Sequence, residues 1–158
     1  MDPELYDLVH HDGTDDEVWF LDRLAAKHGS GPKTALEPAC GTGRYLAGLL
    51  RRGWTVEGYD QSRAMVAFTR KRLARWEKRA KIALGEMTAY RPTRRFGLIF
   101  NLLSTFRHLM NDREALKHLT LMSSALEPGG IFVLGLDLSL YGQDEPDEEV
   151  WECRQGGR

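Results

Sequence analysis

The chain has 158 residues, 42% of them hydrophobic, and a formal net charge of -1, with an isoelectric point near 6.5. That is enough apolar material for one domain with a real core, and the near-neutral charge supplies no global field toward nucleic acid or an anionic membrane. The N-terminus MDPELYD lacks the basic and apolar segments of a signal peptide and no apolar run reaches spanning length, so a cytoplasmic location without membrane contact is expected. Cys40 and Cys153 stand far apart, without the spacing of a disulfide framework or a zinc site, and no metal is expected.

In chain order, Thr14 to Glu17 reads as a capping box, with the Thr14 side chain suited to the Glu17 N–H. Val18, Leu21, Leu24 and Ala25 follow at helical spacing, so a helix should run to about His28, stopped by the G-S-G-P of Gly29 to Pro32. Residues 33–40 predict strand one, 43–52 a helix ending at Gly53, and 55–60 strand two. Ser62 should cap a helix whose Met65, Phe68, Leu73 and Trp76 share a face. Strand three is expected over 81–87, and the apolar run 96–103 has the length and composition of a strand covered on both faces. A short turn of helix over 106–110 and a longer one capped by Asp112, carrying Leu116, Leu119, Met122 and Leu126, lead to E-P-G-G at Glu127 to Gly130; strand five should then run 131–138. Strands alternating with helices predict an α/β fold, a doubly wound parallel sheet with helices on both faces.

The stretch T-A-L-E-P-A-C-G-T-G-R-Y-L, Thr34 to Leu46, is strand, glycine turn, helix. Gly41 and Gly43 allow positive φ and bring bare backbone near a ligand, while the helix that follows aims its free N–H groups into the turn. A dinucleotide fingerprint needs a third glycine where Leu46 stands, and Glu37 would repel a pyrophosphate. A carboxylate there instead suits a cationic amine. Asp60 closes strand two about twenty residues after the first glycine, where it can accept both ribose hydroxyls or simply neighbour the cap of the next helix. Glu86 follows strand three, placed either to accept from an adenine amino group, with Met87 against the ring, or as an exposed loop carboxylate. Three acidic residues at three successive strand ends share the edge where open α/β sheets bind ligands.

E-P-A-C-G-T-G, V-E-G-Y-D-Q-S, G-E-M, F-G-L-I-F-N-L-L-S-T-F-R-H-L and L-E-P-G-G-I-F-V-L, in this order, resemble the Rossmann-like class I S-adenosylmethionine-dependent methyltransferases, small-molecule type, over roughly residues 6–140. The resemblance implies strand one at the centre of the sheet and the cofactor S-adenosylmethionine, with S-adenosylhomocysteine as product, over Gly41 and Gly43. It places Glu37 at the methionine amine, Asp60 at the ribose, Glu86 with Met87 at the adenine, Asn101 and Leu102 on the methionine side, and Tyr6 as the aromatic closing over the cofactor, with Gln61 and Met65 as further cofactor-binding residues. His108 and Asn101, after strand four, are the candidate catalytic residues, with His108 either a base or an orienting group.

A small-molecule acceptor is expected. The Asn/Asp-Pro-Pro-aromatic loop that holds a flipped base is absent after strand four, where Asn101-Leu102-Leu103-Ser104 stands, and so is a Pro-Cys nucleophile. The basic residues Arg63, Arg70, Lys71, Arg72, Arg75, Lys78, Arg79 and Lys81 scatter around a helix as a solvated face would, so no nucleic acid partner is expected. His10 and His11 read as a solvated loop, and His118, among Lys117 and Glu114, as surface. One domain is expected: an N-terminal segment and helix over 1–30, a cofactor-binding core over 33–140, and an acidic linker with a truncated lid strand over 141–158. The family sheet continues with two further strands that this chain is expected to lack, as a fragment or a short member, and the edge over 131–140 is expected to pair with a second copy as a homodimer. Two other functions stay open: a cofactor-binding module without turnover and, weakened by Leu46 and Glu37, a nicotinamide oxidoreductase.

Overall fold

The computed structural model describes residues 2–136. Five strands, β1 (Thr34–Pro38), β2 (Thr55–Asp60), β3 (Ala80–Leu84), β4 (Phe96–Asn101) and β5 (Leu126–Leu134), form one sheet in the order β3-β2-β1-β4-β5. Every neighbouring pair is parallel. The helices are α1 (Pro3–His10), α2 (Thr14–His28), α3 (Arg44–Arg51), α4 (Arg63–Leu73) and α5 (Asp112–Ser124). Because β1 is flanked by β2 on one side and β4 on the other, the chain leaves it in opposite directions across the sheet, which opens a crevice at the carboxyl ends.

Two cores hold the layers together. Val18 and Leu21 of α2 pack with Leu46, Leu49 and Leu50 of α3, Val66 and Leu73 of α4, and Ala35, Val56, Leu98 and Phe100 of the sheet. On the other face Leu121 and Met122 of α5 pack with Leu36, Tyr59, Phe96 and Ile99. Leu46, the residue that broke the dinucleotide fingerprint, is accommodated by a glycine on the neighbouring strand: a Cβ on Gly58 would lie 2.6 Å from its Cδ1. The helix–sheet contact is thereby kept with the small residue on β2 instead of on α3.

Several boundaries differ from the sequence expectation for identifiable reasons. Asp2 accepts from the N–H groups of Glu4 and Leu5 at 2.9 and 3.1 Å, with Pro3 in the first turn, and this cap starts a helix, α1, that was not foreseen. Thr14 does not cap α2. Gly13, at φ +76°, occupies that position, and the Thr14 hydroxyl donates to the His11 carbonyl at 2.7 Å. Asn111, one residue before the expected Asp112, caps α5 by accepting from Glu114 N–H at 3.0 Å. Pairing of β5 begins at Leu126 opposite Phe96 and resumes at Ile131 opposite Leu98, so Glu127 to Gly130 bulge out of the strand instead of merely ending the helix. β3 stops at Leu84, which leaves Glu86 and Met87 in the loop beyond it. Residues 137–138 of the expected strand five, residues 137–140 of the edge proposed to pair with a second copy, the acidic linker and the lid strand lie outside the described residues. Among the described residues no helix is long and apolar enough to cross a membrane.

The loop into β1 passes unusually close to β4. A Cβ on Gly97 would lie 2.1 Å from the Pro32 carbonyl oxygen, a backbone atom that cannot swing aside. Gly97→Ala is therefore expected to lower stability by about 1–3 kcal/mol in urea unfolding; an unchanged midpoint at the same slope would contradict this packing.

Candidate functional site

The carboxyl edge of the sheet is organised by the turn between β1 and α3. Ala39, Gly41 and Gly43 all adopt left-handed backbone, at φ +50°, +51° and +69°. Gly43 is the N-terminal cap of α3, and a Cβ there would sit 2.4 Å from Thr69 Cγ2. The turn is braced from two sides. Gly41 N–H donates to Asp60 Oδ2 at 2.9 Å, and the Thr69 hydroxyl donates to the Gly41 carbonyl at 2.7 Å. Asp60 Oδ1 also accepts from Ser62 N–H at 2.8 Å, so it stands beside a helix cap, and each oxygen keeps a lone pair for a further donor.

The N-terminal helix is fastened to the same turn. Arg72 on α4 donates to both carboxylate oxygens of Asp7 on α1, one contact being 2.7 Å, and donates to the Thr42 carbonyl at 3.1 Å. The Thr42 hydroxyl donates to Asp7 Oδ1 at 2.7 Å. Burial would raise the Asp7 carboxyl, but the bonds from Arg72 and Thr42 and the Arg72 charge outweigh it and hold the group below its ordinary value. This clasp brings Tyr6 over the glycine turn, where a Cβ on Gly41 would be 3.6 Å from the ring.

Two adjoining cavities follow. The larger, about 440 Å³, is lined by Tyr6, Gly41, Asp60, Gln61, Met65, Glu86, Met87 and His108, among others. The smaller, about 20 Å³, includes Glu37, Leu102 and Leu103 in its lining and shares Tyr6, Ala39, Gly41 and Thr105 with the first. All the sequence candidates except Asn101 and Gly43 line one or the other. A further cavity of about 420 Å³ between the α1–α2 turn, α3 and α4 is lined by Arg44, Arg51, Arg72 and Arg75 facing Asp12, Asp15 and Asp16; no strand residue borders it.

Glu37 is buried, and its Oε2 has no hydrogen-bond partner among the described residues. Burial pushes its carboxyl well above the ordinary carboxylate range, with Arg44 opposing and Asp60 and Glu17 adding to the rise. Arg44 does not satisfy it directly: its Nη1 and Nη2 groups are directed to the Thr14 hydroxyl, Glu17 Oε2 and the Tyr45 hydroxyl. An unsatisfied buried acceptor at the narrow end of a cleft is costly unless a donor arrives.

Asn101 and His118 correct the sequence reading. Asn101 is 1% exposed and does not reach the cavities: its Nδ2 donates to the Pro38 carbonyl at 3.0 Å and its Oδ1 faces His118 Nε2 at 3.0 Å. Its side chain therefore braces the strand ends. His118, expected on the surface, is fully buried, with Nδ1 3.0 Å from the Met87 carbonyl. His118, Leu121, Met122 and Ala125 are all buried at the spacing of one helix stripe, whereas Leu116, expected in the core, is 66% exposed. His10 is not in a solvated loop, since it ends α1 with its ring 4.4 Å from that of Tyr6, whereas His11 stands exposed in the loop that follows, as expected. The basic cluster is only partly a solvated face. Arg70 donates to the Ile82 carbonyl, Arg72 to Asp7, and Arg79 to the carbonyls of Leu50 and Trp54.

The sequence profile of a family described as methyltransferase domain matches residues 35–130. The chain is 32% identical over 134 residues to dTDP-3-amino-3,6-dideoxy-alpha-D-glucopyranose N,N-dimethyltransferase of Streptomyces fradiae, covering 83% of this chain and 51% of that protein. In structure it is similar to DesVI of Streptomyces venezuelae, with a TM-score of 0.72, 26% identity, and coverage of 83% of this chain and 54% of that one. It is also similar to the glycopeptide N-methyltransferase MtfA complexed with S-adenosylmethionine, with a TM-score of 0.68, 29% identity, and coverage of 87% and 60%. The chain thus spans about half the length of the curated relatives it matches.

The clasp on α1 can be tested without ligand. In Arg72→Met, amide hydrogen exchange over residues 3–10 should rise about tenfold or more, the loss of a charge-assisted pair; unaltered exchange would contradict it. Because the Asp7 carboxyl is depressed, its contribution is present above the ordinary value of about 3.9 and is lost as pH falls through the depressed one, so the wild type should loosen there too.

Proposed function

The chain belongs to the methyltransferase domain family, and on that premise we propose that it transfers a methyl group from S-adenosylmethionine to an amine on a small-molecule acceptor. The observation that carries the cofactor reading is Glu37: a buried carboxylate oxygen without a donor among the described residues, beside the glycine turn, is what a ligand bearing a cationic amine requires. Asp60 and Gln61 would hold the ribose, Met65, Glu86 and Met87 the adenine side, Leu102 the methionine side, and Tyr6 the cover that excludes water. Gly41 and Gly43 keep the floor free of side chains. Bound there, the cofactor would supply an electrophilic methyl on a sulfonium.

The protein's part in such a transfer is alignment. An amine attacks only through a free lone pair, so it must lie in line behind the methyl and have lost its ammonium proton. His108 is exposed on the wall of the larger cavity, beside Thr105 and Leu109, and serves here as the group that orients the acceptor amine. An amino sugar carried on a nucleotide is the favoured acceptor, by similarity to the sugar N,N-dimethyltransferases of Streptomyces fradiae and Streptomyces venezuelae.

Calorimetry with S-adenosylhomocysteine tests the cofactor reading. The wild type should bind it, and Glu37→Gln should weaken binding about ten- to a hundredfold while leaving adenosine, which has no amine tail, unchanged. Equal losses for both ligands, or binding of NAD with no response to S-adenosylhomocysteine, would contradict it. Transfer of a labelled methyl group to a dTDP-linked amino sugar tests the acceptor; labelling of acceptors without an amine instead would overturn that half.

A further inference from the structure

His118 links one loop and two strand ends of the carboxyl edge through a chain of three polar contacts. The Met87 carbonyl, in the loop after β3, lies 3.0 Å from Nδ1; Nε2 lies 3.0 Å from Asn101 Oδ1; and Asn101 Nδ2 reaches the Pro38 carbonyl at 3.0 Å, next to the glycine turn. Both ends of the chain are backbone carbonyls, which only accept. Three hydrogen bonds between two terminal acceptors need three donors. The carboxamide supplies one and a neutral imidazole one more, so with a neutral ring one contact sets two acceptors against each other. The Nδ1–H tautomer holds Met87 and releases Asn101, and the Nε2–H tautomer does the reverse. Only the imidazolium holds both while Asn101 keeps its bond to the Pro38 carbonyl.

We propose that His118 is a positioning residue of the cofactor site, tying the adenine-side loop at Met87 to the end of β4 at Asn101, and that the tie closes on both sides only when the ring is protonated. The proposal rests on the cofactor reading of the larger cavity, to whose wall Met87 contributes. Against the ring stand Phe106 and Phe132, at 6.0 and 6.2 Å between centroids. The charged groups on the packed elements are engaged or turned to solvent. Glu86 accepts from the Thr88 hydroxyl at 2.7 Å, Glu114 accepts from Met110 N–H at 3.0 Å, and Arg107, His108, Asp112, Arg113 and Lys117 are exposed. Glu127 lies at the opposite end of β5, beside the Phe96–Leu126 pair. Burial disfavours the charged ring and the Met87 carbonyl favours it, with burial prevailing. The tie therefore completes as pH falls below the ordinary imidazole range.

Three variants separate the contacts. Asn at 118 can still donate to Met87, Gln can donate to Asn101, and Leu does neither. His118→Leu should weaken S-adenosylhomocysteine binding about tenfold, and His118→Asn should recover part of that loss. The wild-type advantage over His118→Leu should shrink as pH rises toward the ordinary imidazole value of about 6.5 and stay at its lower level above it, because the second bond is lost with the proton. Nitrogen-15 spectra should show both ring nitrogens protonated at the acidic end. Equal affinities at every pH, or a ring that stays singly protonated wherever the chain is folded, would overturn the proposal. If the wild type binds no S-adenosylhomocysteine, the cofactor reading fails by itself and the tie is judged on the free protein. Amide exchange over residues 85–90 must then rise in His118→Leu and fall back in His118→Asn, and unchanged exchange overturns it. Should His118→Leu not fold, the Asn and Gln variants carry the same comparison.

Discussion

The site depends on a turn of five residues, Ala39 to Gly43, that holds three left-handed conformations in a row of alternate positions. Such a backbone is not stable by itself; a non-glycine residue such as Ala39 costs of order 1 kcal/mol or more there. It is held because every neighbouring element grips it. Asp60 from β2 takes one N–H, Thr69 from α4 takes one carbonyl, and Asp7 from α1 with Arg72 from α4 clamps Thr42 between them. The same grips deliver the side chains that line the cavities, so the shape of the floor and the composition of the walls come from one set of interactions.

The electrostatics follow from that geometry. Carboxylates gather at the strand ends, while Arg44 and Arg72 stand behind them and are neutralised by partners on the N-terminal helices. Arg44 bonds Glu17 and Thr14 and stacks 4.0 Å over Tyr45, which keeps its charge near Glu37 without closing the Glu37 oxygen. The result is an acidic pocket with an acceptor at its narrow end that no described residue answers. Backstrain of the same kind recurs at the end of β4, where Leu103 and Ser104 are both at φ +51°. Strain on both sides of the central crevice is the pattern of a site shaped for a ligand.

Much of this was legible in the sequence because it is written in short blocks. Glycine spacing after an apolar run, and acidic residues closing successive strands, located the turn and most of the cavity wall, whereas the strand order could not be read from spacing. What escaped notice depended on partners distant in the chain. Thr14 and Glu17 match a capping box, but the Thr14 hydroxyl is claimed by a buried Arg44 network that no local pattern discloses. His118 was hidden by its type: Lys117 and Glu114 beside it suggest a surface, yet residues 118, 121, 122 and 125 form a buried stripe. Admitting histidine to that stripe would have found it. Asn101 looked like a reactive residue because it ends a strand at the crevice, and it became a brace because the Pro38 carbonyl, at the end of β1, required a donor.

The arginines of α4 and its surroundings teach the same lesson in reverse. Scattered basic residues looked like solvated charge, but several are the pins that join α1 and the loops to the core. The measurement that bears most directly on the whole account is a crystal structure with S-adenosylhomocysteine. The account predicts the ligand amine within hydrogen-bonding distance of Glu37, the ribose on Asp60 and the adenine beside Met87. A ligand lying elsewhere, or one that leaves the Glu37 oxygen without a donor, would contradict it.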